Sequence, residues 1–208
     1  MIIRLELAPG SVLNESALMD ELGLGRTPIR EALQRLRRDE LVTILPRRGV
    51  FVTQFDLDDL PLLFNSRAVI EPHLAELAAY RGTKDHWDEI ETVLAGTEDP
   101  AVSADTEAMV EADNRCHAIV WDAAGNRFLT ATAEMLYAQS NRLWHLYLGE
   151  IEDMGPALDE HRRILCALRA GNGALAAQLT EEHVRTFEQE IREGMQRRMA
   201  SGMTTARL

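Results

Sequence analysis

From Leu57 onward, apolar residues recur every three or four positions almost without a break. This spacing predicts helices over about 57–64, 65–81, 84–95, 104–124, 127–148, 157–170 and 173–199. Gly82, Pro100, Gly125, Pro156 and Gly171 fall between these segments, where residues that stop helices belong. No strand-like alternation competes, so residues 55–208 read as an all-α helical bundle, an architecture that builds ligand and metal sites from inward-pointing side chains. The first 54 residues have another rhythm. "ESALMDEL" reads as a short helix capped by Asn14 with Ala17, Leu18 and Leu22 inward, and "GLG" at 23–25 makes a tight break. Ile29, Ala32, Leu33 and Leu36 then recur at i, i+3, i+4 and i+7, which predicts a second helix with Thr27 as its cap and Pro28 at its first position. "LVTILPRRGVFVTQF" supplies two β-prone segments, 42–45 and 50–54, around a turn at Pro46–Gly49. The expected fold is therefore mainly α: an N-terminal winged helix-turn-helix over residues 1–54, followed by an all-α bundle over 55–208.

Charge sharpens this division. The 208-residue chain carries a formal net charge of -12, yet Leu22 to Arg38 holds five arginines and one acid. Residues 1–54 contain eight arginines against seven acids, so the remaining residues carry the whole negative excess. An acidic body repels polyanions, but screening limits its field to about 10 Å, so a local basic face can still approach phosphate. Arg30, Gln34 and Arg37 lie on one polar stripe of the second helix, beside its apolar stripe. A helix fits the major groove, and arginine makes bidentate contacts to guanine, which makes Arg30 and Gln34 the base-reading candidates. Arg26 and Thr27 at the helix entrance, with Arg47 and Arg48 on the wing, suit backbone or minor-groove contacts on double-stranded DNA. The alternative is a solvated basic helix in a protein-interaction module.

Within the bundle, polar residues on apolar faces need explanation. Over 104–124, Met109, Ala112, Cys116, Ile119, Val120 and Ala123 form the inward arc, with Asp113 inside it and His117 at its edge. A buried unpaired carboxylate costs several kcal/mol, so Asp113 must be protonated, paired or bound to a cation. Residues four apart project from one helix face, close enough to chelate one ion. His161 lies among Leu158, Ile164, Leu165 and Leu168, and His183 among Ala176, Leu179 and Phe187. Each histidine alone fits a hydrogen-bonded core residue. One aspartate and three histidines on three inward faces suit a divalent metal, zinc foremost, with nickel, manganese or iron also compatible.

Two resemblances follow from these segments. "PGSVLNESALMDELGLGRTPIREALQRLRRDELVTILPRRGVFVTQF" closely resembles the GntR-type winged helix, with its arginine–threonine–proline entrance, "REAL" and glycine-containing wing. That resemblance implies operator contact by Arg26, Arg30 and Gly49. Gly25 stands where the family usually has a serine or threonine, and a longer helix usually precedes the "PG" turn. "ADNRCHAIVWDAAGNRFL", "DEHRRILCALRAGN" and "EEHVRTF" are similar to successive motifs of the FCD effector domain in the FadR subgroup of that family. This likeness implies a bundle that binds a divalent metal through Asp113, His117, His161 and His183, often with a small organic acid coordinated to it.

Arg67 stands four before Glu71, and an ion pair is its preferred reading, although it and Arg142 are also candidates to clamp an effector carboxylate. His73, His86 and His145 read as surface or packing residues, and Trp87, Trp121 and Trp144 as core or dimer contacts. Cys116 and Cys166 read as buried reduced thiols, and neither a membrane span nor a secretory segment is evident, which suits the cytoplasm. The functional expectation is a homodimeric, DNA-binding regulator and repressor, not an enzyme, whose operator affinity responds to a small carboxylate at the metal. The alternatives are a metal sensor and a metal-dependent hydrolase. The hydrolase lacks an evident inward glutamate or second carboxylate to serve as acid or base.

Overall fold

The computed structural model describes residues 1–147 and 154–200. Its N-terminal part comprises β1 (Val12–Leu13), α1 (Glu15–Leu22), α2 (Arg26–Arg38), β2 (Val42–Leu45) and β3 (Gly49–Val52). β3 lies between β1 and β2, antiparallel to both, with Val42 opposite Val52 and Leu45 opposite Gly49. The short β1 has no counterpart in the sequence pattern; two residues are too few to show alternation. Asn14 caps α1 by accepting hydrogen bonds from the Ser16 and Ala17 amides, and Gly23 closes it at φ 63, a left-handed conformation that favours glycine. Leu18 alone of the three residues expected to face inward from α1 is buried; Ala17 and Leu22 are exposed. Ile29 and Leu33 of α2 join Leu13, Leu41, Val42, Val50 and Val52 in a small core.

The expected cap of α2 is corrected. Gly25, not Thr27, is the N-cap and it offers no side-chain hydrogen bond, so Arg26 is the first helical residue and Thr27 lies in the first turn. Proline tolerates the whole first turn, where amides lack intrahelical partners, so Pro28 fits one position setting as well as the other.

A 3-10 turn (Leu57–Asp59) leads into α3 (Leu60–Arg81), followed by α4 (Lys84–Gly96), α5 (Pro100–Ser103), α6 (Thr106–Ala124), α7 (Arg127–Tyr147), α8 (Gly155–Arg169) and α9 (Gly173–Ala200). The two helices expected over 57–64 and 65–81 are thus largely one. The polar pair Asn65–Ser66 resembles a break, but the Ser66 hydroxyl donates back to the Leu62 carbonyl within the continuing helix. Residue 148 of the segment expected over 127–148 lies outside the described residues. α3 runs through the middle of the bundle and packs against α6, α7, α8 and α9. Asp105 caps α6 through the Glu107 and Ala108 amides, and Gly125 closes it at φ 59.

Trp87, Trp121 and Trp144 are all buried in the main core. Cys116 is buried there too, and burial raises its thiol to about 12, whereas Cys166 is exposed, contrary to expectation, because it faces away from the apolar arc of α8.

Gly82 closes α3 directly against Trp87: a Cβ there would lie 2.2 Å from the indole ring. Gly82→Ala is expected to destabilise the protein by about 1–3 kcal/mol through overpacking. Thermal unfolding checks this, and a midpoint equal to that of the unsubstituted protein would contradict the packing.

Candidate metal centre and DNA-facing surface

Asp113 and His117 project from α6, His161 from α8 and His183 from α9, and their donor atoms all lie within 4.8 Å of one another. His161 Nε2 stands 2.7 Å from Asp113 Oδ1, and His183 Nε2 3.8 Å from the same oxygen. His117 Nε2 is 3.8 Å from Asp113 Oδ2 and 3.2 Å from His183 Nε2. Four donors around one ion at zinc-type bond lengths would stand roughly 3.3 Å apart; the separations of 2.7–3.8 Å bracket that spacing, while the set as a whole extends to 4.8 Å, wider than a closed tetrahedral shell. The three histidines are buried and Asp113 nearly so.

The opposite edges of the imidazoles make the case stronger. His117 Nδ1 faces the Glu71 carboxylate at 3.2 Å, and His183 Nδ1 faces Glu160 at 2.7 Å. Each carboxylate favours a proton on the adjacent Nδ1, which leaves a lone pair on each Nε2. Two lone pairs facing at 3.2 Å repel unless a cation or proton lies between them, and the site therefore fits a metal ion. Burial, followed by the proximity of His183, lowers the pKa of His161 and favours the neutral, ligating form. Burial alone would raise the Asp113 carboxyl, but His117, His161 and His183 hold it well below the ordinary aspartate range. Tyr137 of α7 donates to Asp113 Oδ2 at 2.6 Å, and burial and this carboxylate push its phenol well above its usual range.

Two glutamates, Glu71 and Glu160, do face the histidine cluster. Both are turned toward the far edges of the histidine rings, away from the converging Nε2 atoms, where an activated water would need its acid or base. Glu71 is also clamped by Arg67, whose Nε and Nη2 donate to its two oxygens at 2.5 and 3.2 Å, while Nη1 donates to Ser140 at 2.9 Å. The expected i,i+4 ion pair is therefore present and fully buried. Burial works against the Glu71 carboxylate, but Arg67 and His117 outweigh it and lower its pKa to about 2.

Arg67 also lines a cavity beside the four donors, together with Tyr137, Asn141, Trp144 and Phe187. Its volume is about 20 Å³, room for about one water. Arg142 does not line it. This corrects its assignment as an effector clamp: it points instead to the junction with the winged helix, where its Nη2 donates to the Thr53 carbonyl at 2.7 Å.

The DNA-facing candidates are all exposed on the small domain. Arg26, Thr27, Arg30 and Gln34 are exposed on α2, Arg47 and Arg48 on the β2–β3 turn, and Gly49 at the start of β3. Arg47 at φ 62 and Gly49 at φ 110 carry the turn through the left-handed region, which makes glycine the favoured residue at position 49. Because Arg26 and Thr27 begin the helix, their amides lie at its positive end, suited to a phosphate. Glu15 was not singled out from sequence. Its carboxylate accepts from Arg30 Nε at 3.0 Å, which leaves both terminal guanidinium nitrogens for a guanine edge.

The family model described as the FCD domain matches residues 62–186, and that of the gntR family of bacterial regulatory proteins matches residues 1–52. The chain belongs to the GntR-family transcriptional regulators that carry an FCD domain, proteins that regulate transcription and are not enzymes. Its relatives include the HTH-type transcriptional repressor GlaR of Escherichia coli K12, 29% identical over 196 residues, covering 89% of this chain and 88% of that protein. The galactonate operon transcriptional repressor of the same organism is 29% identical over 216 residues, covering 92% of each. Among solved structures, E. coli McbR/YncC matches with a TM-score of 0.80 at 21% identity, covering 94% of this chain and 92% of that one, and shows the shared fold. A metal-free FCD domain matches with a TM-score of 0.56 at 20% identity, over 68% of this chain and 96% of that one.

Removing one member of the Arg67–Glu71 pair strands a buried charge. Arg67→Met is expected to cost about 3–5 kcal/mol at neutral pH in urea unfolding. Because the folded pKa of Glu71 is depressed, its stabilising contribution is present above its ordinary value and declines as pH falls from about 4.5 toward about 2. Arg67→Met should flatten this acid limb; an unchanged midpoint and pH profile would show that the pair contributes nothing.

Proposed function

We propose that the chain is a homodimeric repressor whose winged helix, residues 1–54, binds operator DNA and whose bundle, residues 55–208, senses a small carboxylate at a divalent metal. The observation that carries this reading is the convergence of Asp113, His117, His161 and His183 with two ligand imidazoles backed by carboxylates. Zinc suits three nitrogens and one oxygen, with nickel, manganese or iron as alternatives. When bound, such an ion offers a positive coordination site for an anionic effector. Arg67, already neutralised by Glu71, lines the adjacent cavity. Because that cavity takes about one water, an effector of several heavy atoms requires the surrounding helices to move, and this supplies the differential affinity that regulation needs. Cytoplasmic action fits a DNA target, and no helix among the described residues is long and apolar enough to cross a membrane.

On the DNA side, Arg30 and Gln34 read bases, Arg26 and Thr27 hold phosphates at the helix entrance, and Arg47, Arg48 and Gly49 place the wing. Dimerisation matches a two-fold operator. Leu62, Val69 and Tyr80 support an interface on α3: they are 64%, 73% and 65% exposed, and their spacings of 7 and 18 residues put them on one helical face. The roles of these two relatives as repressors support negative control.

Metal analysis of the purified protein and of His161→Ala tests the site. About one ion per chain, falling sharply in the variant, is expected; a folded protein that takes up no ion even after reconstitution would refute it. Operator titrations at two salt concentrations test the surface. Arg30→Ala should lose about 1–3 kcal/mol of specific binding, whereas Arg48→Ala should weaken all sequences alike and lower the salt slope by about one. Identical behaviour of the two variants would reject the division between base reading and phosphate contact.

A further inference from the structure

α7 touches both the candidate metal centre and the winged helix. Toward the centre, Tyr137 donates to Asp113 Oδ2 and Ser140 accepts from Arg67. Gln139 and Arg142 each follow one of these residues by two positions. With about 3.6 residues per turn, they project from nearly the opposite side of the helix.

That side holds the DNA-reading module by its backbone. Gln139 Nε2 donates to the carbonyl of Asp39, the C-cap of α2, at 2.7 Å. Arg142 Nη2 donates to the carbonyl of Thr53, directly after β3, and its Nη1 donates to Gln139 Oε1 at 3.2 Å. The Arg142 guanidinium also stacks over Phe55 at 4.5 Å, and Ala138 of the same helix packs on the winged-helix core.

Arg142 is fully buried and forms no ion pair among the described residues, and its Nε finds no hydrogen-bond partner there. Burial lowers its pKa to about 10, which leaves it charged at neutral pH. An unpaired buried cation is costly, and packing alone would be served better by an apolar side chain. What the guanidinium supplies instead is a directed grip on a carbonyl of the other domain.

We infer that Arg142 and Gln139 are positioning residues that fix the C-terminus of the recognition helix and the wing exit to α7, so that a displacement of Tyr137 at the metal centre moves the DNA-reading surface. The transmission half of this inference rests on the metal-site reading above; the grip itself does not.

Hydrogen-exchange mass spectrometry of the full chain tests both halves, with zinc chloride as the probe. In zinc-free protein, Arg142→Met should raise exchange several-fold in peptides covering 36–41 and 53–56 and leave 15–22 unchanged, and Arg142→Lys, which keeps a charged donor, should restore part of the protection. Zinc should alter exchange in the same two peptides of the unsubstituted protein, whereas Arg142→Met should bind as much zinc without that response. Unchanged zinc-free exchange in Arg142→Met would overturn the grip, and an equal zinc response in both proteins would overturn transmission. If the unsubstituted protein takes up no zinc, the metal reading fails by itself. Asp113→Asn then supplies the perturbation of Tyr137, and its effect on these peptides should disappear when combined with Arg142→Met; persistence of the effect would refute transmission. Gln139→Ala, at a less buried position, decides the grip should Arg142→Met fail to fold, with wild-type exchange again the contrary result.

Discussion

Two imidazole nitrogens, His117 Nε2 and His183 Nε2, face each other at 3.2 Å inside the bundle, each ring backed by a carboxylate on its other nitrogen. This arrangement is unfavourable in a dry core unless positive charge lies between the rings. Much of the bundle's polar chemistry is organised around it. α3 contributes Glu71 and its arginine clamp, α6 contributes Asp113, α7 contributes Tyr137, and α8 and α9 contribute the remaining histidines and Glu160. The helices converge on one polar cluster that sets Arg67 and three carboxylates, Glu71, Asp113 and Glu160, around the imidazoles, and apolar side chains surround it.

The same constraint explains how an acidic chain can serve a polyanion. Negative charge is concentrated in the helical bundle, where inward carboxylates hold imidazoles and outward ones meet solvent. The arginines of α2 and of the β2–β3 turn stand on a separate small domain with its own core. α7 is packed against both parts, with Tyr137 and Ser140 toward the centre and Gln139 and Arg142 toward the winged helix.

The winged helix was legible in sequence from a turn and a basic stripe, and the four candidate donors from an i,i+4 Asp–His pair on one apolar arc and two histidines each set among apolar residues of its own helix. Glu71 was less legible because a glutamate four after an arginine ordinarily marks a solvated face. Yet Phe64, Ala68, Glu71, Ala75 and Ala78 lie along one buried strip of α3, a signal that could have shown it faces inward. The contact of Arg142 with Thr53 was not legible, because spacing cannot tell which of two cores a helix between them addresses. The cap of α2 was displaced from Thr27 to Gly25 because threonine is the better capping side chain by propensity, while the backbone of "GLG" sets the actual start. The Glu15–Arg30 pair is not legible in sequence, because the two residues are distant along the chain and meet through the packing of α1 on α2.

The most direct test of the central arrangement is two-dimensional NMR of the imidazole nitrogens in selectively labelled protein, with chelator and then with stoichiometric zinc. The account predicts that zinc-loaded His117 and His183 carry their proton on Nδ1, held by Glu71 and Glu160, with both Nε2 resonances shifted by the ion. Protons on Nε2 in either ring, unchanged after zinc is added, would contradict it.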